Sequence, residues 1–191
     1  MIAHLRLMEV EQSQAASQRA LARALALELG DSTEQVRIVR EAGGKPRTVD
    51  GNVSFSWSTS GGYALLAVAR GCELGVDLEV VRARPAVTQL AGMGPVERAL
   101  LRRCSDRCGP RCFLRLWTAK EAAVKTTGDG LRALRDTAVA WHWDDESDHW
   151  IVTGVTVRDV HLVAHELVPA PQFVGTLCST AMAIEPAWTV R

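Results

Sequence analysis

The sequence predicts an α+β fold assembled in two halves. Three observations predict it. Two long segments, 9–29 and 111–127, carry apolar residues at helical spacing. The segments after each of them alternate with the period of strands, so the order helix, strands, helix, strands runs through the chain. No low-complexity linker divides it, and the join falls near residue 73, giving an N-terminal subdomain 1–73 and a C-terminal subdomain 74–191.

In chain order, residues 9–29 read as a helix on Val10, Ala16, Ala20, Leu21, Leu25 and Leu27–Leu29, stopped by Gly30-Asp31, with Arg19 and Arg23 one turn apart. Gln35–Arg40 alternates weakly, as a short strand would. The glycines and proline of Glu41–Pro46 predict a loop. Val53–Trp57 and Tyr63–Ala69 read as strands around a hydroxyl- and glycine-rich turn, Ser58–Gly62, and Leu74–Val81 as another strand. Pro95–Arg103 is a short helix with proline at its start. Arg111–Thr127 is a longer helix that ends at Gly128. Ala138–Trp143, Trp150–Val157, His161–Leu167 and Thr176–Ile184 complete the set as strands.

The 191 residues are 47% hydrophobic, enough for a real core, and 23% charged, with 22 basic against 22 acidic side chains. Zero net charge argues against a general nucleic-acid binder, which needs a basic face. Apolar runs such as Leu65–Ala69 fall far short of a membrane span, and Met1–Arg6 has no signal-peptide core, so the expected location is the cytoplasm, away from membranes. The five cysteines are expected as reduced thiols. Cys104, Cys108 and Cys112 have helical spacing, but Gly109-Pro110 interrupts them and no fourth ligand stands at zinc spacing. The basic residues are 19 Arg and only three Lys: Lys45, Lys120 and Lys125. Where arginine has displaced lysine almost everywhere, the surviving lysines mark places that suit a compact ammonium.

Three constellations carry chemistry. In a strand Gly75–Glu79, Asp77 and Glu79 share a face with Cα atoms roughly 7 Å apart, a pair of hard oxygen donors suited to Mg²⁺ or Mn²⁺. The same pattern also describes an amphipathic strand with its charged face in water. In the helix from Phe113 onward, Phe113, Leu116, Trp117 and Val124 form an apolar face that contains Lys120 and is bordered by Glu121, with Lys125 one turn on. A surface ion pair, worth about 0.3–0.5 kcal/mol, accounts for Glu121 and Lys125. It leaves unexplained a lysine among aromatics, and such breaks of pattern cluster at functional sites. Last, Gly44-Lys45-Pro46 and the run Phe55–Gly61 offer an ammonium and hydroxyls to phosphate oxygens.

In this order the motifs resemble those of the Sfp-type 4′-phosphopantetheinyl transferases, of the holo-[acyl-carrier-protein] synthase superfamily. That family has a Gly-Lys-Pro loop, a Phe-Asn-x-Ser-His-Ser turn, a Gly-x-Asp-x-Glu strand and a Trp-x-x-Lys-Glu-Ala-x-x-Lys-x-x-Gly-x-Gly-Leu helix. Here they are Gly44–Pro46, Phe55–Ser60, Gly75–Glu79 and Trp117–Leu131, the last two matching fully, and all three lysines fall on motif positions. Two positions depart: Ser56 stands for the family asparagine and Thr59 for its histidine, which bears on coenzyme A affinity rather than on the reaction.

The resemblance implies two similar subdomains related by a pseudo-twofold axis, acting as a monomer. It implies transfer of 4′-phosphopantetheine from coenzyme A to a serine of an apo acyl or peptidyl carrier protein of polyketide, peptide or fatty-acid synthesis, releasing adenosine 3′,5′-bisphosphate. Asp77, Glu79 and Glu121 would hold Mg²⁺, or Mn²⁺. Glu121 would serve as base, Lys125 would steady the leaving phosphate, and Lys120 would contact the pantetheine phosphate or the bridging region. Arg19, Lys45, Pro46, Ser58 and Thr59 would hold coenzyme A. Glu97 falls where the family often has an acidic residue, and Trp117 reads as core. Two other readings fit the same residues: a catalytically degenerate coenzyme A or carrier-protein binding module, and a Mg²⁺-dependent pyrophosphate hydrolase.

Overall fold

The computed structural model describes residues 1–40, 44–49, 51, 53–82, 92–108, 110–144 and 149–189, with the side chains of 103–108, 143 and 149 outside that description. The chain runs β1 (Ile2–Glu9), α1 (Gln14–Leu29), β2 (Ile38–Val39), β3 (Arg47–Thr48), β4 (Ser54–Ser60), β5 (Tyr63–Ala69), β6 (Leu74–Val80), α2 (Pro95–Cys108), α3 (Pro110–Thr127), a 3₁₀ turn (Leu131–Asp136), β7 (Thr137–Asp144), β8 (His149–Val157), β9 (Val160–Leu167), β10 (Phe173–Ser179) and β11 (Glu185–Trp188). The fold is mixed α+β. One sheet has the order β11-β1-β5-β4, the other β6-β10-β9-β8-β7, and β2 and β3 pair apart from both.

The layers follow from which faces are apolar. Ala3, Leu5, Leu65 and Ala67 of the first sheet pack on Leu74, Val76, Leu78, Phe173 and Leu177 of the second, forming one core between the sheets. Tyr63 meets Phe173 edge-on there, with centroids 5.0 Å apart. On the outer face of the first sheet, Leu25 and Ala24 of α1 cover Phe55, Leu66 and Val68. On the outer face of the second, Ala119, Ala122, Ala123 and Val124 of α3 cover Val152, Val155 and Leu162.

Several expected elements shift for local reasons. The helix expected over 9–29 begins at Gln14, because Ala3 and Leu5 alternate with outward residues and form β1, and because Ser13 caps α1 by accepting a hydrogen bond from Ala16 N–H at 3.2 Å. The turn expected at Ser58–Gly62 contracts to Gly61-Gly62. Both glycines take positive φ, +60° and +86°, the geometry of a two-residue hairpin, so Ser58, Thr59 and Ser60 lie in β4. The strand expected over Gln35–Arg40 shrinks to Ile38–Val39. The strand expected over Thr176–Ile184 is Phe173–Ser179, and a separate strand, β11, returns to pair in parallel with β1. The chain crosses from first to second sheet between β5 and β6, and Glu185–Trp188 returns to the first sheet. Glu41–Gly43 of the expected loop lie outside the described residues, as do the side chains of Cys104 and Cys108. Cys112 is a buried free thiol.

Candidate active site

The site starts from Gly75. A Cβ built there would meet the Ala122 carbonyl oxygen at 2.1 Å and the Thr126 nitrogen at 2.6 Å, so the missing side chain is what lets α3 lie directly on β6. Thr126 Oγ1 ties the contact to Cys178 O of β10 at 3.3 Å. This docking carries Glu121 and Lys125 over the face of β6 that bears Asp77 and Glu79. Lys125 Nζ donates to Asp77 Oδ1 at 2.7 Å and to Val76 O at 3.2 Å.

Asp77 is not on a watery face: it is 5% exposed. Its Oδ1 accepts from Ser58 Oγ at 2.6 Å as well as from Lys125, while its buried Oδ2 has no hydrogen-bond partner. A buried acceptor left unmatched costs about 1–3 kcal/mol, so an orphaned carboxylate oxygen is a place for a cation. Glu121 is pushed up to about 7, first by burial, then by the charges of Asp77 and Glu79, with Lys125 pulling the other way. Negative charge therefore exceeds what Lys125 balances, and the hard oxygen donors fit a divalent ion such as Mg²⁺. Among the described residues no three His, Cys, Asp or Glu side chains converge on one point. Asp77, Glu79 and Glu121 are thus coupled through charge rather than gathered in a closed cage.

A cleft of about 300 Å³ opens beside them. Gly44, Lys45 and Pro46 form part of its wall, with Phe55, Ser56 and Trp57 of β4, Glu121 and Lys125 of α3, and Gly128 and Gly130 beyond the helix. A more polar cleft of about 530 Å³ adjoins it, lined by Ser13, Ser17, Thr59 and Ser60 among others. Leu21, Trp57 and Arg40 line both. Arg40 is exposed, with no hydrogen-bond or ion-pair partner among the described residues, and the motif reading passed it over because it lies outside every matched segment.

Other expected residues take different contacts. Lys120 does not line either cleft. It is 2% exposed, and its ammonium donates to both carboxylate oxygens of Glu97, at 2.9 and 2.8 Å, and to Thr137 O at 3.1 Å. Its three donors are thereby used. Glu97 also accepts from Gly94 N–H at 2.6 Å at the start of α2, so the pair locks α2 to α3. Lys120, expected to contact a bound phosphate, is held here in this buried ion pair. Ser58, expected to hold coenzyme A, donates its hydroxyl to Asp77 and accepts from Leu78 N–H. Arg19 is exposed on α1 and lines neither cleft.

Lys45 borders the cleft, but its Nζ donates to Glu73 Oε2 at 2.8 Å, Ser54 Oγ at 3.1 Å and Leu74 O. Burial pulls Lys45 below the usual lysine range, against the pull of Glu73. Burial would raise Glu73, yet hydrogen bonds from Lys45 and Arg47 bring it down to about 2. The two shifts differ in origin because Lys45 is the more deeply buried partner, at 6% side-chain exposure against 35%. Trp117 stacks on Phe113 and packs in the core around α3, as expected.

A family profile described as the 4′-phosphopantetheinyl transferase superfamily matches residues 73–177, from just before β6 into β10. The chain belongs to this superfamily. Among curated proteins, it is 36% identical over 118 residues to the 4′-phosphopantetheinyl transferase HetI of Nostoc sp., covering 59% of this chain and 50% of HetI. It is 33% identical over 112 residues to slr0495 of Synechocystis sp., a protein provisionally named for the same activity, covering 56% of this chain and 46% of slr0495. The chain thus spans about half the length of the curated relatives it matches. The superfamily match takes in β6 and α3, the two elements that Gly75 brings into contact. Among the described residues, no helix is long and apolar enough to cross a membrane.

Proposed function

We propose that this chain transfers the 4′-phosphopantetheine group of coenzyme A to a serine of an apo acyl or peptidyl carrier protein, releasing adenosine 3′,5′-bisphosphate. The observation that carries this reading is Glu121, a carboxyl lifted to about 7 beside the Asp77–Lys125 pair at the edge of a cleft walled by Gly44–Pro46. A divalent ion held there would favour the ionised carboxylate, the form that accepts a proton.

Asp77, Glu79 and Glu121 are the residues that would hold Mg²⁺ or Mn²⁺. Bound there, the ion supplies neutralisation of pyrophosphate charge and polarisation of the phosphorus under attack. Glu121, directly or through a water it holds, takes the proton of the carrier serine. The serine oxygen bonds to the β-phosphorus, and the bond from that phosphorus to the oxygen of adenosine 3′,5′-bisphosphate breaks. Lys125, the more exposed partner of Asp77, offers its ammonium to the charge that develops on the leaving phosphate. Lys120 acts at a distance, by fixing α3 against α2. Arg40, between the two clefts, supplies the cation for the 3′-phosphate, where Thr59 offers only a hydroxyl. Gly44–Pro46 shape the wall against the nucleotide. The chain carries both sheets and works as a monomer in the cytoplasm.

The test is mass spectrometry of apo carrier proteins from fatty-acid, polyketide and peptide synthesis after incubation with coenzyme A and Mg²⁺. The expected result is a gain of one phosphopantetheine on a serine, matched by released adenosine 3′,5′-bisphosphate. Consumption of coenzyme A without carrier modification means a hydrolase, and binding without consumption means a degenerate module. Either outcome overturns the proposal.

A further inference from the structure

Strand β6 is the last strand of its sheet, paired through β10 on one side. Its other edge presents the backbone groups of Leu74, Val76, Leu78 and Val80, which need partners because the edge is buried between the halves. The partners are hydroxyls. Ser54, Ser56, Ser58 and Ser60, alternate residues of β4, accept the N–H groups of Leu74, Val76, Leu78 and Val80 at 3.3, 2.9, 3.3 and 3.1 Å. The spacing is a constant 20 residues, so β4 and β6 run parallel in fixed register, with serine oxygens in place of carbonyls.

Each hydroxyl also has a proton to give, and where the residue before that N–H is acidic it gives it there. Ser54 donates to Glu73 at 3.1 Å, Ser58 to Asp77 at 2.6 Å and Ser60 to Glu79 at 2.8 Å. Ser56 faces Gly75, which has no carboxylate because α3 presses against it. One rung of the ladder therefore has the backbone bond alone, which separates holding the strand from holding a carboxylate.

We propose that Ser58 and Ser60 are positioning residues, whose hydroxyls fix the Asp77 and Glu79 carboxylates to the β6 backbone and so preset one wall of the cation site, while Ser56 only joins the sheets. Fixing one carboxylate oxygen turns the other away from the serine, and Asp77 Oδ2 is the buried oxygen left without a partner. Hydrogen bonds behind a metal ligand typically contribute about 10–100-fold to metal affinity. The proposal rests on the metal-dependent transferase reading for the nature of the ion, but not on the identity of the carrier or on turnover.

The experiment measures Mn²⁺ binding to the metal-free full chain by calorimetry, alongside thermal unfolding in chelator. Ser56→Ala, Ser58→Ala and Ser60→Ala should each lower stability, since each removes a seam hydrogen bond. Mn²⁺ affinity should fall at least about tenfold for Ser58→Ala and Ser60→Ala and stay within about twofold for Ser56→Ala. In a Glu79→Ala background, Ser60→Ala should weaken Mn²⁺ no further, because the serine acts through that carboxylate. Should Ser58→Ala fail to fold, Ser60, half-buried at the end of β4, carries the test. Equal losses of Mn²⁺ affinity at 56, 58 and 60, unchanged affinity at 58 and 60, or no Mn²⁺ binding by the unaltered chain would each overturn the proposal. If instead the expected affinity pattern appears while no carrier protein is modified, the positioning role stands and the transferase reading falls.

Discussion

Replacing Glu121 by glutamine should stabilise the metal-free protein at alkaline pH while abolishing its activity. Glu121 is 9% exposed and has its carboxyl pushed from 4.5 up to about 7 by burial and by Asp77 and Glu79. In that window the folded state binds a proton that the unfolded chain releases, so stability falls as pH rises from 4.5 through 7 and the full penalty applies above it. At about 1.4 kcal/mol per pH unit, the penalty is roughly 3 kcal/mol. Glutamine keeps the shape and has no charge to bury. For a domain of this size, roughly 3 kcal/mol corresponds to a rise of about 6–12 °C in Tm. Calorimetric unfolding in chelator at pH 5 and pH 8 measures it. The variant should match the original protein at pH 5, where Glu121 is protonated, and exceed it at pH 8. Saturating Mg²⁺ should narrow the gap, because the ion binds and stabilises the ionised form alone. A variant no more stable than the original at pH 8 would mean that the three carboxylates do not share an excess of charge, and the case for a cation there would fail with it.

The other predictions follow the remaining charged clusters. Glu73, held at about 2, contributes stability that is complete above about pH 4.5 and is lost as pH falls toward 2. Glu73→Gln should flatten that acid limb in a pH-dependent unfolding series, and a limb parallel to the original would show that Lys45 and Arg47 do not hold this carboxylate. Lys120→Met should cost about 3–5 kcal/mol in urea unfolding by stranding buried Glu97, with Glu97→Gln in the same chain restoring part of the loss. Full stability with no activity would instead place Lys120 on the substrate. Arg40→Ala should raise KM about tenfold for coenzyme A and hardly at all for dephospho-coenzyme A, through loss of a charged hydrogen bond, whereas Arg19→Ala should change neither much. Equal effects on the two ligands would move the 3′-phosphate away from Arg40.

What could be read from the sequence was whatever depends on near neighbours in the chain. Gly75–Glu79 alternates as an edge strand facing a helix must, and Trp117–Leu131 carries its lysines and glutamate at helical spacing. Strand β10 lies at Phe173–Ser179 rather than at the expected Thr176–Ile184, because a strand buried on both faces has no alternation to mark its ends. Strand β1 has a weak alternation, Ala3 and Leu5 against His4 and Arg6, and its meaning depends on partners far along the chain. The roles of Lys120 and Lys125 could not be separated by spacing. The difference lies in Glu97, which α2 brings to one and not to the other. Ser58 and Ser60 looked like turn hydroxyls because a Ser/Thr/Gly run favours turns, until the hairpin at Gly61-Gly62 drew them into β4.

The return of β11 to β1 gives synthesis of this chain a direction-dependent hazard. Strand β1 leaves the ribosome ahead of both its partners, and β5 covers one of its edges some sixty residues later. Its other edge pairs with Glu185–Trp188, so it stays open until that far later segment has been made. Through that interval a half-apolar strand carries open N–H and C=O groups, a template for pairing with another nascent chain. Truncation before residue 185 should therefore show itself first as aggregation, ahead of any loss of chemistry at the distant carboxylates.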